Sequence, residues 1–175
     1  MITPAFARTM AAYNQWQNEA LLAAAETLDP AVRDADAGLF FGSITATLNH
    51  LLWADRLWLH RFAGTAKPDA AGIAQSTTLF ADWPSLVAAR RDTDRALVAW
   101  TEGLTADWLK GDLGWYSGSL GRTVSRPRAL LVVHLFNHQT HHRGQIHGAL
   151  TRAGVATAAT DLPFMPALAE HGHAV

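Results

Sequence analysis

Apolar residues recur along the chain at steps of three and four, and this spacing marks out four long helical segments. In the first, about residues 4–28, Phe6, Met10, Tyr13, Gln17, Leu21, Ala24 and Leu28 share one face. In the second, about residues 43–62, Leu48, Leu51, Leu52, Leu57, Trp58 and Leu59 are spread so widely that much of the helix must be covered. The third starts at Asp82, an N-cap residue type, with Pro84 in the first turn, where its missing N–H would be unpaired anyway. Leu86, Arg90, Thr93, Leu97, Trp100 and Leu104 then keep the helical step. The fourth follows Ser125, carries Pro127 in its first turn and runs to about residue 152, with Gly154 as its stop.

The connections carry patterns of their own. Residues 63–81 are too many for a tight helical hairpin, and loops of that length are usually functional or hold small elements. Between the third and fourth segments, Leu113-Gly114-Trp115-Tyr116 and Arg122-Thr123-Val124 flank a Gly/Ser-rich turn, the pattern of a short β-hairpin. After Gly154, the apolar residues of Asp161-Leu162-Pro163-Phe164-Met165 are expected to pack back on the helices. His171 and His173 fall in a terminal tail, where disorder is the default. The predicted fold is all-α: a four-helix bundle with long crossover connections and a short β-hairpin before the last long helix, forming a single domain over residues 1–175.

Composition narrows the function. The 175 residues, 49% hydrophobic, are enough for a substantial core. A formal net charge of −1 and scattered Lys and Arg argue against a nucleic-acid partner held by bulk electrostatics. No segment has the length of an apolar membrane span, and the N-terminus lacks the charged start and apolar run of a signal peptide, so a cytoplasmic location is expected. The absence of cysteine removes disulfides and thiolate ligands. Most of the seven tryptophans are expected to be core or interface anchors.

The chemistry concentrates in Asn137-His138-Gln139-Thr140-His141-His142-Arg143-Gly144-Gln145, which with His134 and His147 holds five of the nine histidines. Imidazole is the commonest protein ligand for zinc, nickel and similar ions. At about 100° per residue, Leu131, His134, Leu135, His138, His141, His142, Gln145 and Ala149 share a broad face. The leucines and alanine of that face direct it inward, while Arg143 and His147 turn away. His138 and His142 project from adjacent turns and can converge on one ion. His134/His138 and His138/His141 are spaced for the same purpose, so spacing does not choose the pair. A third ligand should come from another helix. His50 lies among Ser43, Ala46, Ala54 and Leu57, whereas the competing His60 is rotated away near its helix end. For His60, His134 and His147 an ordinary hydrogen-bonded role is the default. A polar hydrogen-bonded core network is the rival explanation of the whole cluster.

Three stretches also resemble the DinB/YfiT-like superfamily of metal-associated bundle proteins. Tyr13-Asn14-Gln15-Trp16-Gln17-Asn18 is similar to its opening helix signature. Leu48-Asn49-His50-Leu51-Leu52-Trp53-Ala54-Asp55 is similar to its second-helix histidine motif. The third is the NHQTHHRGQI run with Ala153-Gly154-Val155. The resemblance implies a divalent ion, nickel or zinc, held by His50, His138 and His142, and a homodimer.

Three histidine ligands leave a coordination position open, which favours chemistry over a purely structural ion. Such an ion could acidify water for hydrolysis, or a low-molecular-weight thiol for transfer to an electrophile, as in thiol-dependent relatives of the superfamily. Gln145 is the candidate for positioning water or substrate, His141 for orienting a ligand histidine or binding an anionic substrate group, and Asn18 and Asn49 for fixing ligand tautomers. Asp55 lies well around the helix from His50 and receives no acid–base role. Arg143 is expected to pair with a carboxylate, within the domain or at a subunit interface. Val132, Val133, Phe136 and Leu150 give the fourth helix a second apolar side, central in the bundle or buried against a second subunit. Two alternatives to an enzyme remain: a noncatalytic metal or small-ligand binding protein linked to stress, and a metal-free interaction bundle.

Overall fold

Capping side chains set where the helices of this computed structural model begin; it describes residues 1–118, 120–166 and 168. Helix α1 (Pro4–Glu26) starts where Thr3 accepts from the Phe6 N–H at 3.2 Å. It ends two residues short of the expected boundary because Asp29-Pro30 opens a new short helix, α2 (Pro30–Asp34), and proline disfavours helical backbone in the residue before it. Helix α3 (Ile44–Ala63) is capped by Ser43 and stops at Gly64, whose φ of 70° is the left-handed turn glycine adopts without strain. The long connection contains a single helical turn, α4 (Ile73–Ser76). Helix α5 (Trp83–Glu102) begins at Asp82, which accepts from the Ser85 N–H at 2.9 Å. A short α6 (Ala106–Lys110) leads into the hairpin of β1 (Asp112–Ser117) and β2 (Arg122–Pro127), antiparallel with Trp115 opposite Val124. Helix α7 (Arg128–Arg152) follows directly. Pro127 is therefore the last strand residue and the N-cap, with ψ 129°, not a first-turn residue.

Helix α1 packs on α5 and α7, and α3 packs on the same two. Two apolar clusters fill the space between them. One joins Leu21, Leu22, Leu48, Leu52, Leu86, Ile146 and Leu150. The other joins Ala11, Trp58, Leu97, Val132, Leu135 and Phe136. Each long helix carries a buried polar step between its apolar stretches: Asn14 and Asn18 on α1, Asp55 on α3, Arg90 and Asp94 on α5, Gln139 and Arg143 on α7. The interior is thus layered as apolar, polar, apolar.

That layering corrects the expected geometry of α7. Its buried stripe runs through Val132, Leu135, Phe136, Gln139, Arg143, Ile146 and Leu150, about one residue round from the histidines. Val132, Phe136 and Leu150 lie in the chain's own core, so most of the second apolar side that suggested a partner subunit is covered internally. His134 and His141 are exposed instead of inward. The aromatic residues anchor the lower cluster: Phe62 stacks on Trp58 and Trp100 at 5.5 and 5.1 Å, and Trp108 meets it edge-on. Beyond the 3-10 turn Leu162–Phe164, Met165 packs back into a buried position as expected, while Phe164 is exposed. His171 and His173 lie outside the described residues. Among the described residues, no helix is long and apolar enough to cross a membrane.

Candidate metal centre

Helices α3 and α7 bring three imidazoles to one point. His50 projects from the middle of α3, His138 and His142 from successive turns of α7, and one ring nitrogen of each lies within 4.8 Å of the others. The Nε2 atoms of His50 and His138 are 3.3 Å apart. Two nitrogens on one tetrahedral ion at zinc–imidazole bond lengths stand about 3.3 Å apart, so this donor pair fits a single ion. His134 reaches only the edge of the group, its ring 5.8 Å from that of His138 and packed edge-on against Trp58 at 5.3 Å. His60 bonds the Thr65 carbonyl at 2.6 Å, and His147 pairs with the Thr157 hydroxyl at 3.0 Å. Both take ordinary hydrogen-bonded roles.

The hydrogen bonds behind the rings fix their tautomers. Ser76 donates its only hydroxyl proton to the Ile73 carbonyl at 2.6 Å, so its oxygen is an acceptor for His50 Nδ1–H at 2.8 Å. His142 Nδ1–H likewise donates to Gln145 Oε1 at 2.8 Å. In both rings the proton is held at the back, leaving the Nε2 lone pair for the shared centre. Outer partners of this kind orient ligand histidines and raise their basicity. His138 has no such support: its Nδ1 is buried without a hydrogen-bond partner.

Burial and mutual repulsion keep the rings unprotonated. The His50 pKa is lowered to about 4, first by burial and then by the charge of His142. That of His138 is lowered to about 3, again first by burial and then by His142 and His50. His142 is also lowered by burial, against the opposing bond from Gln145. At neutral pH the three rings are therefore uncharged, with the Nε2 lone pairs of His50 and His142 turned to the centre and His138 Nε2 3.3 Å from that of His50.

Phe41 and Ser76 complete the walls. Phe41 lies over His50 with ring centroids 4.0 Å apart and touches His142 at 5.4 Å. It is delivered by a tight turn closed by Gly42, whose φ of 80° a side chain would disfavour. Ser76 sits on α4 within the 63–81 connection, fully buried. Neither residue was among the sequence candidates. The length of that connection was the one available signal for Ser76, and the paired glycines Gly38 and Gly42 the only hint for Phe41.

Other expected roles change. Asn18 donates to Asp94 at 2.9 Å, far from any histidine contact, and Asn49 clamps Phe80 of the long connection by its N–H at 2.8 Å and its carbonyl at 3.3 Å. Neither fixes a ligand tautomer. Arg143 turns away from the histidines, but into the core, where it bonds Asn14 and, at 3.2 Å, Gln139. Its partners there are amides, not the expected carboxylate. His141 reaches the site through Gln145, whose amide lies 3.4 Å from its ring nitrogen.

The DinB family model matches residues 1–173. The protein named Protein DinB from Bacillus subtilis (strain 168) is 26% identical over 160 residues, covering 89% of this chain and 91% of that relative. No solved structure matches the chain.

Proposed function

The chain belongs to the DinB family, and on that premise we propose that His50, His138 and His142 hold one divalent cation in a metal-dependent enzyme of small-molecule chemistry. The observation that carries this is the convergence of three uncharged imidazoles on one point, two of them with their protons held at the back by Ser76 and Gln145. Imidazole donors suit nickel or zinc. A cation with three such ligands and a free position supplies Lewis acidity, enough to make a bound thiol or water lose its proton near neutral pH.

The protein's own groups supply the rest. Ser76 holds His50, and Gln145 holds His142 while its amide faces His141. Gln145 is thus a positioning residue whose free face, with His141, can meet a substrate at the rim. Phe41 and Trp53 flank His50 and keep water from that side of the ring. The substrate class we favour is a low-molecular-weight thiol transferred to an electrophile, with hydrolysis as the other outcome of the same acidity. The scaffold is read as a four-helix bundle of α1, α3, α5 and α7. A homodimer rests on the family resemblance, because α7 is largely covered within the chain.

Elemental mass spectrometry on untagged protein tests the site. About one equivalent of nickel or zinc is expected in the parent and almost none in His50→Ala or His142→Ala that remain folded by circular dichroism. No metal after reconstitution with either ion would overturn the proposal. A noncatalytic metal- or ligand-binding role, in a stress response, is favoured by one observation: the nearby carboxylate of Asp55 is engaged with Arg90 and not with the histidines. A panel of thiols and electrophiles separates the two. Turnover abolished by His142→Ala supports the enzyme, and saturable binding without turnover supports the binding protein.

A further inference from the structure

A groove of about 350 Å³ opens beside the histidines, lined by Trp58, Trp115, Arg126, Leu130, Leu131 and His134. Of its lining residues His134 stands next to the candidate metal centre, its ring 5.8 Å from that of His138. The rings follow one another in contact, from His138 to His134 at 5.8 Å, to Trp58 at 5.3 Å and to Trp115 at 5.6 Å. Its walls are flat and apolar. Arg126 gives its lining a positive charge, and the Arg61 guanidinium, outside that lining, lies over Trp58 at 4.6 Å and over Trp115 at 5.2 Å. Arg61 is close enough to His134 for its charge to help lower that ring's pKa, after burial.

Neither arginine takes part in an ion pair among the described residues, and the hydrogen bond described for Arg126 goes to the neighbouring Ser125 carbonyl. Two guanidiniums without carboxylate partners, one of them half-buried on two indoles, form an incomplete electrostatic arrangement. Guanidinium pairs strongly with carboxylate, and indole faces take flat apolar bodies.

We propose that this groove binds a small carboxylate with a flat aromatic body, the body lying between Trp115 and the exposed Leu130, the carboxylate on Arg126, and the far end at His134. The proposal deepens the function above by naming the substrate class of the same site, and it rests on that function only for the chemistry at the histidine end. Binding itself needs no metal. The groove is built by the side chains of α3, α7 and the hairpin.

Calorimetric titration of metal-stripped protein with 2-naphthoate and with the neutral 2-naphthalenemethanol tests it independently of the metal. The expected result is a Kd of about 1 mM or tighter for the acid, with the alcohol weaker by about tenfold. Arg126→Gln, exposed on the hairpin, and Trp115→Ala, half-buried at the edge of the core, each weaken the acid by about fivefold or more. Indole N–H resonances of Trp58 and Trp115 move on titration. Absence of saturable binding, equal affinity for acid and alcohol, or unchanged affinity in Trp115→Ala would overturn the proposal, whatever the metal content proves to be.

Discussion

Two buried polar clusters lie side by side on α3 and α7, and they are built on opposite principles. In one, Arg90 bridges Asp55 at 2.7 Å and holds Asp94 with two bonds of 3.1 and 2.7 Å, while Asn18 adds a third at 2.9 Å. Arg143, Gln139 and Asn14 extend it, so all four long helices enter one network in which opposite charges meet. In the other, three uncharged imidazoles face each other and, among the described residues, no carboxylate is bonded to them. Helix α7 serves both with the same four-residue step: His138 and His142 point to one cluster, Gln139 and Arg143, each one residue on, to the other. A buried cluster that closes on itself holds a fold together. One that leaves like groups converging is shaped for something else.

The contrast breaks most sharply at Arg90. Arg90→Met strands two buried carboxylates, and removing one partner of a buried ion pair costs about 3–5 kcal/mol. Urea denaturation should register that loss, and a change below about 1 kcal/mol would show that the network is no more a closed structure than the histidines are. The equivalent cut in the other cluster, His142→Ala, should cost little in metal-free protein. Its effect is on ligand-linked stability: zinc at a hundredfold excess over Kd should raise the parent by about 2.7 kcal/mol and leave the variant unmoved.

A finer test addresses the back of the rings. Ser76→Ala removes the acceptor of the His50 proton without touching a ligand, and losses of this kind lower metal affinity by about 10–100-fold. Competition with a chromophoric chelator measures it. An unchanged affinity would mean that tautomer control by Ser76 is unimportant. The smallest effect is a pH slope. Unfolded histidines protonate near 6.5, whereas His50 and His138 resist protonation down to about 4 and 3. Between those values the unfolded chain binds more protons, so metal-free stability is full above about pH 7 and falls as pH drops towards 4. Thermal melts across that range should slope less in His50→Ala.

The periodicities made the long helices and the hairpin legible, because amphipathic spacing and the caps Ser43 and Asp82 are local signals. The spacing allowed His138 to converge with His142 but equally offered His134/His138 and His138/His141, and the family resemblance made the choice that the structure shows. The rotation of α7 was not legible, since apolar residues surround that helix and only packing decides which stripe is innermost. Arg143 lies in the core because the Asn14 amide of α1, 129 residues away, receives it there, something its own neighbours in sequence do not announce. Ser76 and Phe41 escaped for a different reason: they reach the site through turns, and 26 residues separate Ser76 from the ring it holds.

This chain has no cysteine, and therefore no covalent link between distant segments. His50 and His138 are 88 residues apart in sequence. An ion shared by them would close a loop of that length, and cross-links of such span restrict the unfolded chain by several kcal/mol in loop-entropy terms, about 4–5 for a disulfide. Where an ion occupies the centre, it is also a fastener: the two helices that carry its ligands cannot part until the ion leaves, and the lifetime of the folded protein becomes tied to the residence time of its metal.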